Sequence, residues 1–126
     1  MSAVEERVVE QAHRQAIRAP IEDVASFLQD LLGRRLVAYI AGVQDTKTVA
    51  RWAHAEVGEV RSKSVKRLRT AYEIAQLLTQ FDSPRIVQSW FIGLNPQLDD
   101  TSPAEAIHDG RLKEAMYAAR AFVAGG

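Results

Sequence analysis

Apolar residues in this chain recur three and four positions apart almost throughout, and no strand-length window alternates Val, Ile or Thr with polar residues. That period puts one apolar stripe on each helix and leaves no pleated face to pair, so the spacing predicts an all-α helical bundle. Breakers divide the pattern. Helices are expected over 3–18, with Val4, Val8, Ala12 and Ile17 on one face, over 21–32 after Ala19-Pro20, and over 34–41 between Gly33 and Gly42. Asp45 or Thr46 would cap a helix to about Ala55, and Gly58 would break it. A long helix over 62–81 follows, with Leu68, Tyr72 and Ala75 on its stripe. Ser83-Pro84 and Ser102-Pro103 each pair a cap with proline at the first helical position, and the last helix spans 112–123. At 126 residues the chain makes one domain, or two very small ones sharing a core.

Composition excludes several classes. With no cysteine there is no disulfide framework, thiolate metal site or thiol nucleophile. No apolar run approaches the roughly 20 residues of a spanning helix, so no membrane partner is expected. The start lacks a signal-peptide core, and a cytoplasmic location is expected. His13, His54 and His108 stand in no metal-ligand spacing, Asp99-Asp100 fits a cap or solvent role, and no glycine-rich phosphate loop occurs. We therefore expect no enzyme, no metal and no cofactor.

The formal net charge is zero, but the charges are segregated. Residues 47–69 hold seven bases (Lys47, Arg51, Arg61, Lys63, Lys66, Arg67 and Arg69) against Glu56 and Glu59, a local charge of +5. Residues 82–109 hold five acids against Arg85, a local charge of −4. A basic middle and an acidic tail point to two partners of opposite sign, although solvated helix faces have the same look.

Within the basic middle, Ala38 stands four residues before Gly42, and Val43, Val49 and Trp52 would close the space between two short helices. The alanine lets helices cross closely, and the glycine permits a tight turn. Gln44, Asp45, Thr46, Lys47, Thr48 and Arg51 then lie in the turn and first turns of the second helix, where base edges are read, with Arg61, Lys63 and Arg67 beyond as phosphate contacts. The stretch resembles the Xre-type helix-turn-helix, whose second helix often ends in a pair like Arg51-Trp52. Its turn is one residue longer than usual, which also fits an ordinary helical hairpin. The resemblance implies operator DNA as a partner and a homodimer. The dimer stripe is assigned to Leu68, Tyr72 and Ala75.

The C-terminal third carries Trp90-Phe91-Ile92-Gly93-Leu94-Asn95-Pro96-Gln97-Leu98, then Ser102-Pro103-Ala104-Glu105 and Asp109-Gly110. Trp90 and Phe91 are adjacent on a helix, so one can enter the core while the other faces outward. Asn95-Pro96 forces a defined loop over 94–101 that the Asn95 side chain can brace, and Ser102 with Glu105 has the form of a capping box. This order, with Arg111 and the final helix, resembles the toxin-binding domain of MbcA/ParS/Xre-type antitoxins over residues 83–126. The resemblance implies a type II antitoxin that covers the active site of a RES-domain, NAD-consuming toxin and autorepresses its operon, as a homodimer within a larger complex with toxin. The toxin-binding set comprises Trp90, Asn95, Pro96, Pro103, Ala104, His108, Arg111, Tyr117, Arg120, Phe122, Gly125 and Gly126. Trp90 and Phe122, with Leu98, Ile107 and Leu112, equally fit the core of a three-helix unit. The regions become 1–33 (N-terminal helices), 34–81 (helix-turn-helix and long helix) and 82–126 (toxin-binding). A transcriptional regulator without a toxin, or a helical protein-binding adaptor, fits the same pattern less completely.

Overall fold

The computed structural model describes residues 2–54 and 61–125, and over them the chain is all-helical. Eight α-helices are described: α1 (Ala3–Arg18), α2 (Ile21–Leu32), α3 (Arg34–Ala41), α4 (Thr46–Ala53), α5 (Ser62–Thr79), α6 (Pro84–Ile92), α7 (Pro103–His108) and α8 (Leu112–Val123). The expected stops at Ala55 and Gly58 lie outside the described residues.

Local chemistry sets these boundaries. Ser2 and Glu5 form a reciprocal capping box on α1, and the bonds from Ser2 hold the Glu5 carboxyl below the usual range. Asp45 accepts from the Lys47 amide at 2.8 Å and starts α4. At the end of α3, Gly42 takes φ 78°, and the amides of Gly42 and Val43 reach back to the carbonyls of Tyr39 and Ala38. Gly110, at φ 83°, closes α7 the same way with bonds from Gly110 to Ile107 and from Arg111 to Ala106. Both are glycine-ended helix stops in which the left-handed residue lets two orphan carbonyls be satisfied. At Ser102 only half of the expected capping box forms: its hydroxyl accepts from the Glu105 amide, without the return bond.

The long helix α5 is the axis of the molecule. It packs against α1, α2, α3 and α8, and more lightly against α6 and α7. Leu68, Ala71, Tyr72, Ile74, Ala75, Leu77 and Leu78 are all buried along it. An apolar surface this wide needs covering on several sides, and the rest of the chain supplies the cover. The expected dimer stripe is therefore corrected: Leu68, Tyr72 and Ala75 lie inside the monomer. The Tyr72 ring meets Phe27 of α2 edge-on at 5.4 Å, and its hydroxyl accepts from Gln15 of α1 at 3.5 Å.

Helix α1 docks on α5 through Ala12 and Ala16, with Val8 packed alongside and Ala19 buried just beyond its end; of the expected stripe Val8 and Ala12 face inward, while Val4 and Ile17 are 61% and 64% exposed. Small side chains allow close backbone approach, and polar groups fasten the pair. Arg69 of α5 donates to the carbonyls of Ala16 and Ala19 at 2.8 and 2.7 Å, and His13 Nδ1 donates to Glu73 at 3.1 Å. The buried residues form one continuous cluster from Ala12 to Ala119, so the three sequence regions share a single core.

Candidate functional site

Two surfaces collect the candidate residues. The first is the α3–α4 pair with the start of α5. Val49 and Trp52 are buried and Val43 packs against the core, which turns the opposite face of α4 outward. Lys47 and Arg51, one turn apart, are exposed on it, and Arg61, Lys63 and Lys66 are exposed on α5 or just before it. Gln44 is exposed in the turn. A hollow of about 460 Å³ here is lined by Gln44, Asp45, Thr48, Trp52 and Arg61, among others.

Other residues of the expected DNA set have internal duties. The Asp45 carboxylate caps α4. Thr46 and Thr48 are half-buried, and Thr48 accepts from Arg51 at 3.4 Å. Arg67 lies over the turn: a Cβ added to Gly42 would stand 2.7 Å from its guanidinium. Ser64, which sequence reasoning passed over, is buried and donates to the Ala41 carbonyl at 2.8 Å, tying α5 to the end of α3. A small hydroxyl at a single position leaves no periodic signal. Arg69 faces α1, so it contributes nothing to an outward basic surface.

The second surface is the segment 92–101 between α6 and α7. Trp90 and Phe91 both enter the core, against the expectation that one faces out, and meet edge-on at 5.2 Å. Trp90 also lies 6.4 Å from Phe122 of α8. The chain then turns outward. Asn95 accepts from the Gln97 amide at 2.9 Å, starting a short 3₁₀ turn, Pro96–Leu98, and its backbone pairs with Thr101. Thr101 donates its hydroxyl to the Leu98 carbonyl at 2.7 Å and accepts from Arg111 at 2.7 Å; Arg111 also meets Glu114 at 3.1 Å. Asp99 and Asp100 take φ 55° and 62°, a left-handed conformation that aspartate tolerates better than most residues. Asn95 and Arg111 thus build the loop.

The expected toxin-facing set divides accordingly. Pro103 and Ala104 are buried between α7 and its neighbours, which corrects their assignment as partner contacts; the small Ala104 lets α7 approach the bundle closely. Trp90 is a core residue at 9% exposure. His108 turns inward onto α3: its ring stacks on Tyr39 at 4.3 Å, and Nδ1 donates to the Tyr39 carbonyl at 2.6 Å. Partial burial, then the carboxylates of Glu105 and Asp109, push the Tyr39 phenol above its usual range. Arg120 and Phe122 are half-buried. Tyr117, at 63% exposure, Pro96 and Gly125 remain at the surface, and Gly126 lies outside the described residues. Sequence reasoning missed Ile92 and Leu94, which are 63% and 78% exposed. Their signal was present in the sequence: an aliphatic on each side of Gly93, just past the buried aromatic pair.

Among the described residues no group of three or more His, Asp or Glu side chains gathers to hold a metal ion, and no helix is long and apolar enough to cross a membrane. A groove of about 690 Å³ between α1 and α5, lined by residues such as Val4, Arg7, Gln11 and Gln76, stands apart from both surfaces. Comparison of the chain with protein-family models, curated proteins and solved structures gives no match.

Proposed function

We propose that the protein is a type II antitoxin: a helical protein that binds and inhibits a RES-domain, NAD-consuming toxin through its C-terminal helices and represses its own operon through the α3–α4 pair. The observation that carries the reading is one shared core with two exposed surfaces of opposite charge. The basic surface sits on a helix-turn-helix-like pair, and the acidic one sits on the loop and helices that resemble the antitoxin module.

Lys47 and Arg51 project from α4 as a recognition helix would, and Arg61, Lys63 and Lys66 extend the basic face for phosphate contact. Asp45, Ser64 and Arg67 hold that geometry. At the other surface, the segment 86–110 holds four acids and no Lys or Arg, which suits a toxin cleft basic enough to bind pyrophosphate. A homodimer remains part of the proposal, on a surface other than the buried stripe of α5.

The reading predicts a RES-domain reading frame beside the gene. Co-expression of that protein with the full chain is expected to restore growth and yield a stable complex. In a separate test, binding of the full chain to DNA upstream of its operon is expected to weaken steeply with salt, and K47Q/R51Q is expected to flatten that slope by about one to two units. Toxin capture without DNA binding would leave an antitoxin that does not repress. DNA binding without a toxin would leave a transcriptional regulator.

A further inference from the structure

The fold leaves Ile92 and Leu94 uncovered while burying the two aromatics just before them. This is not the loose exposure of a frayed end. Ile92 closes α6 on the buried Phe91, and Leu94 leads into the loop braced by the Asn95–Thr101 bridge. The Asp100 amide donates to the Asn95 carbonyl at 3.0 Å, so the exposed Asp99 and Asp100 share one braced loop with Leu94. One short braced segment therefore carries two exposed aliphatics, at 92 and 94, and two exposed carboxylates, at 99 and 100. Preset geometry lowers the ordering cost of association.

Charge decides what can cover it. The segment 86–110 has four acids and no Lys or Arg, and Arg111, which touches the loop at Thr101, already has Glu114 as counter-ion. Nucleic acid and an anionic bilayer carry the wrong sign. The complement is a protein with an apolar slot for the two aliphatics and basic side chains on the rim facing Asp99 and Asp100.

We infer that Ile92 and Leu94, flanked by Asp99 and Asp100, form the anchor by which this chain grips its protein partner. The assignment rests on the toxin reading and names the part of the C-terminal surface that holds the toxin. It also relocates the grip away from Pro103 and Ala104, which the fold buries.

The test uses the full chain and purified RES-domain toxin. I92S/L94S is expected to weaken binding by about 100-fold or more, chiefly through faster dissociation, with the thermal transition unchanged. V4S/I17S changes two comparably exposed aliphatics on α1 and is expected to bind as the unaltered chain does. D99N/D100N is expected to slow association and reduce its dependence on salt. If I92S/L94S binds as tightly as the unaltered chain, the anchor is overturned and the toxin reading stands. If the unaltered chain captures no toxin, the toxin reading falls and takes the anchor with it.

Discussion

Arg69 belongs by sequence to the basic run over 47–69, yet its guanidinium clamps the last carbonyls of α1 and the turn after it. Helix ends carry orphan carbonyls and partial negative charge, so a cation there meets both needs. R69A is expected to lower stability by about 1–3 kcal/mol in urea unfolding. The same variant should lose amide-exchange protection in α1 and leave salt-dependent DNA binding unchanged; a weakened DNA complex in a still-folded protein would return Arg69 to the basic surface. The count of charges in this run was legible in the sequence, but their directions were not. Direction depends on what lies across the bundle, and α1 is about 50 residues away along the chain. Pro103 and Ala104 were misplaced for the same reason: the cap pattern fixes where α7 starts but not which face meets α3.

At the scale of elements, the sequence was most legible where a local interaction sets the boundary. Ser83, Asp45, Ser102, Gly42 and Gly110 mark helix ends by hydrogen bonds within a few residues, and those ends stand where expected. The loop 94–101 was legible as a loop because Asn95-Pro96 forbids helix, but its internal bridge and the left-handed aspartates were not. N95A removes the bond to the Gln97 amide and is expected to cost about 1 kcal/mol of stability. It should also weaken toxin binding, because that bond starts the turn that separates Leu94 from Asp100. An N95A protein that binds toxin as before would show that the loop's shape is irrelevant to recognition. Packing faces were harder to read than boundaries. Helix α1 has apolar residues on more than one side, and Val8, Ala12 and Ala16 face the bundle while Val4 and Ile17 do not.

The whole molecule has one core, which changes how its two surfaces are to be separated by experiment. Phe91, Ile107 and Ala119 are fully buried in the same cluster as Val37 and Leu68, and α7 packs on α3, so removing the C-terminal helices would uncover α3 and the axis α5 as well. F91A is expected to destabilise the chain by about 3–5 kcal/mol and to impair both surfaces together. Unfolding should stay a single transition by helical and tryptophan signals, since Trp52 and Trp90 belong to the same cluster. Two separate transitions would divide the chain into independent units. Surface substitutions in the full chain therefore separate the two proposed activities cleanly, and truncations do not.

As proposed, this chain neutralises a RES-domain toxin by binding it. The decisive measurement is co-expression of the full chain with the RES-domain protein expected beside its gene, scored by growth and by co-purification. Restored growth and a complex that survives purification are expected. Arrested growth with both proteins present and folded, and no complex, would contradict it.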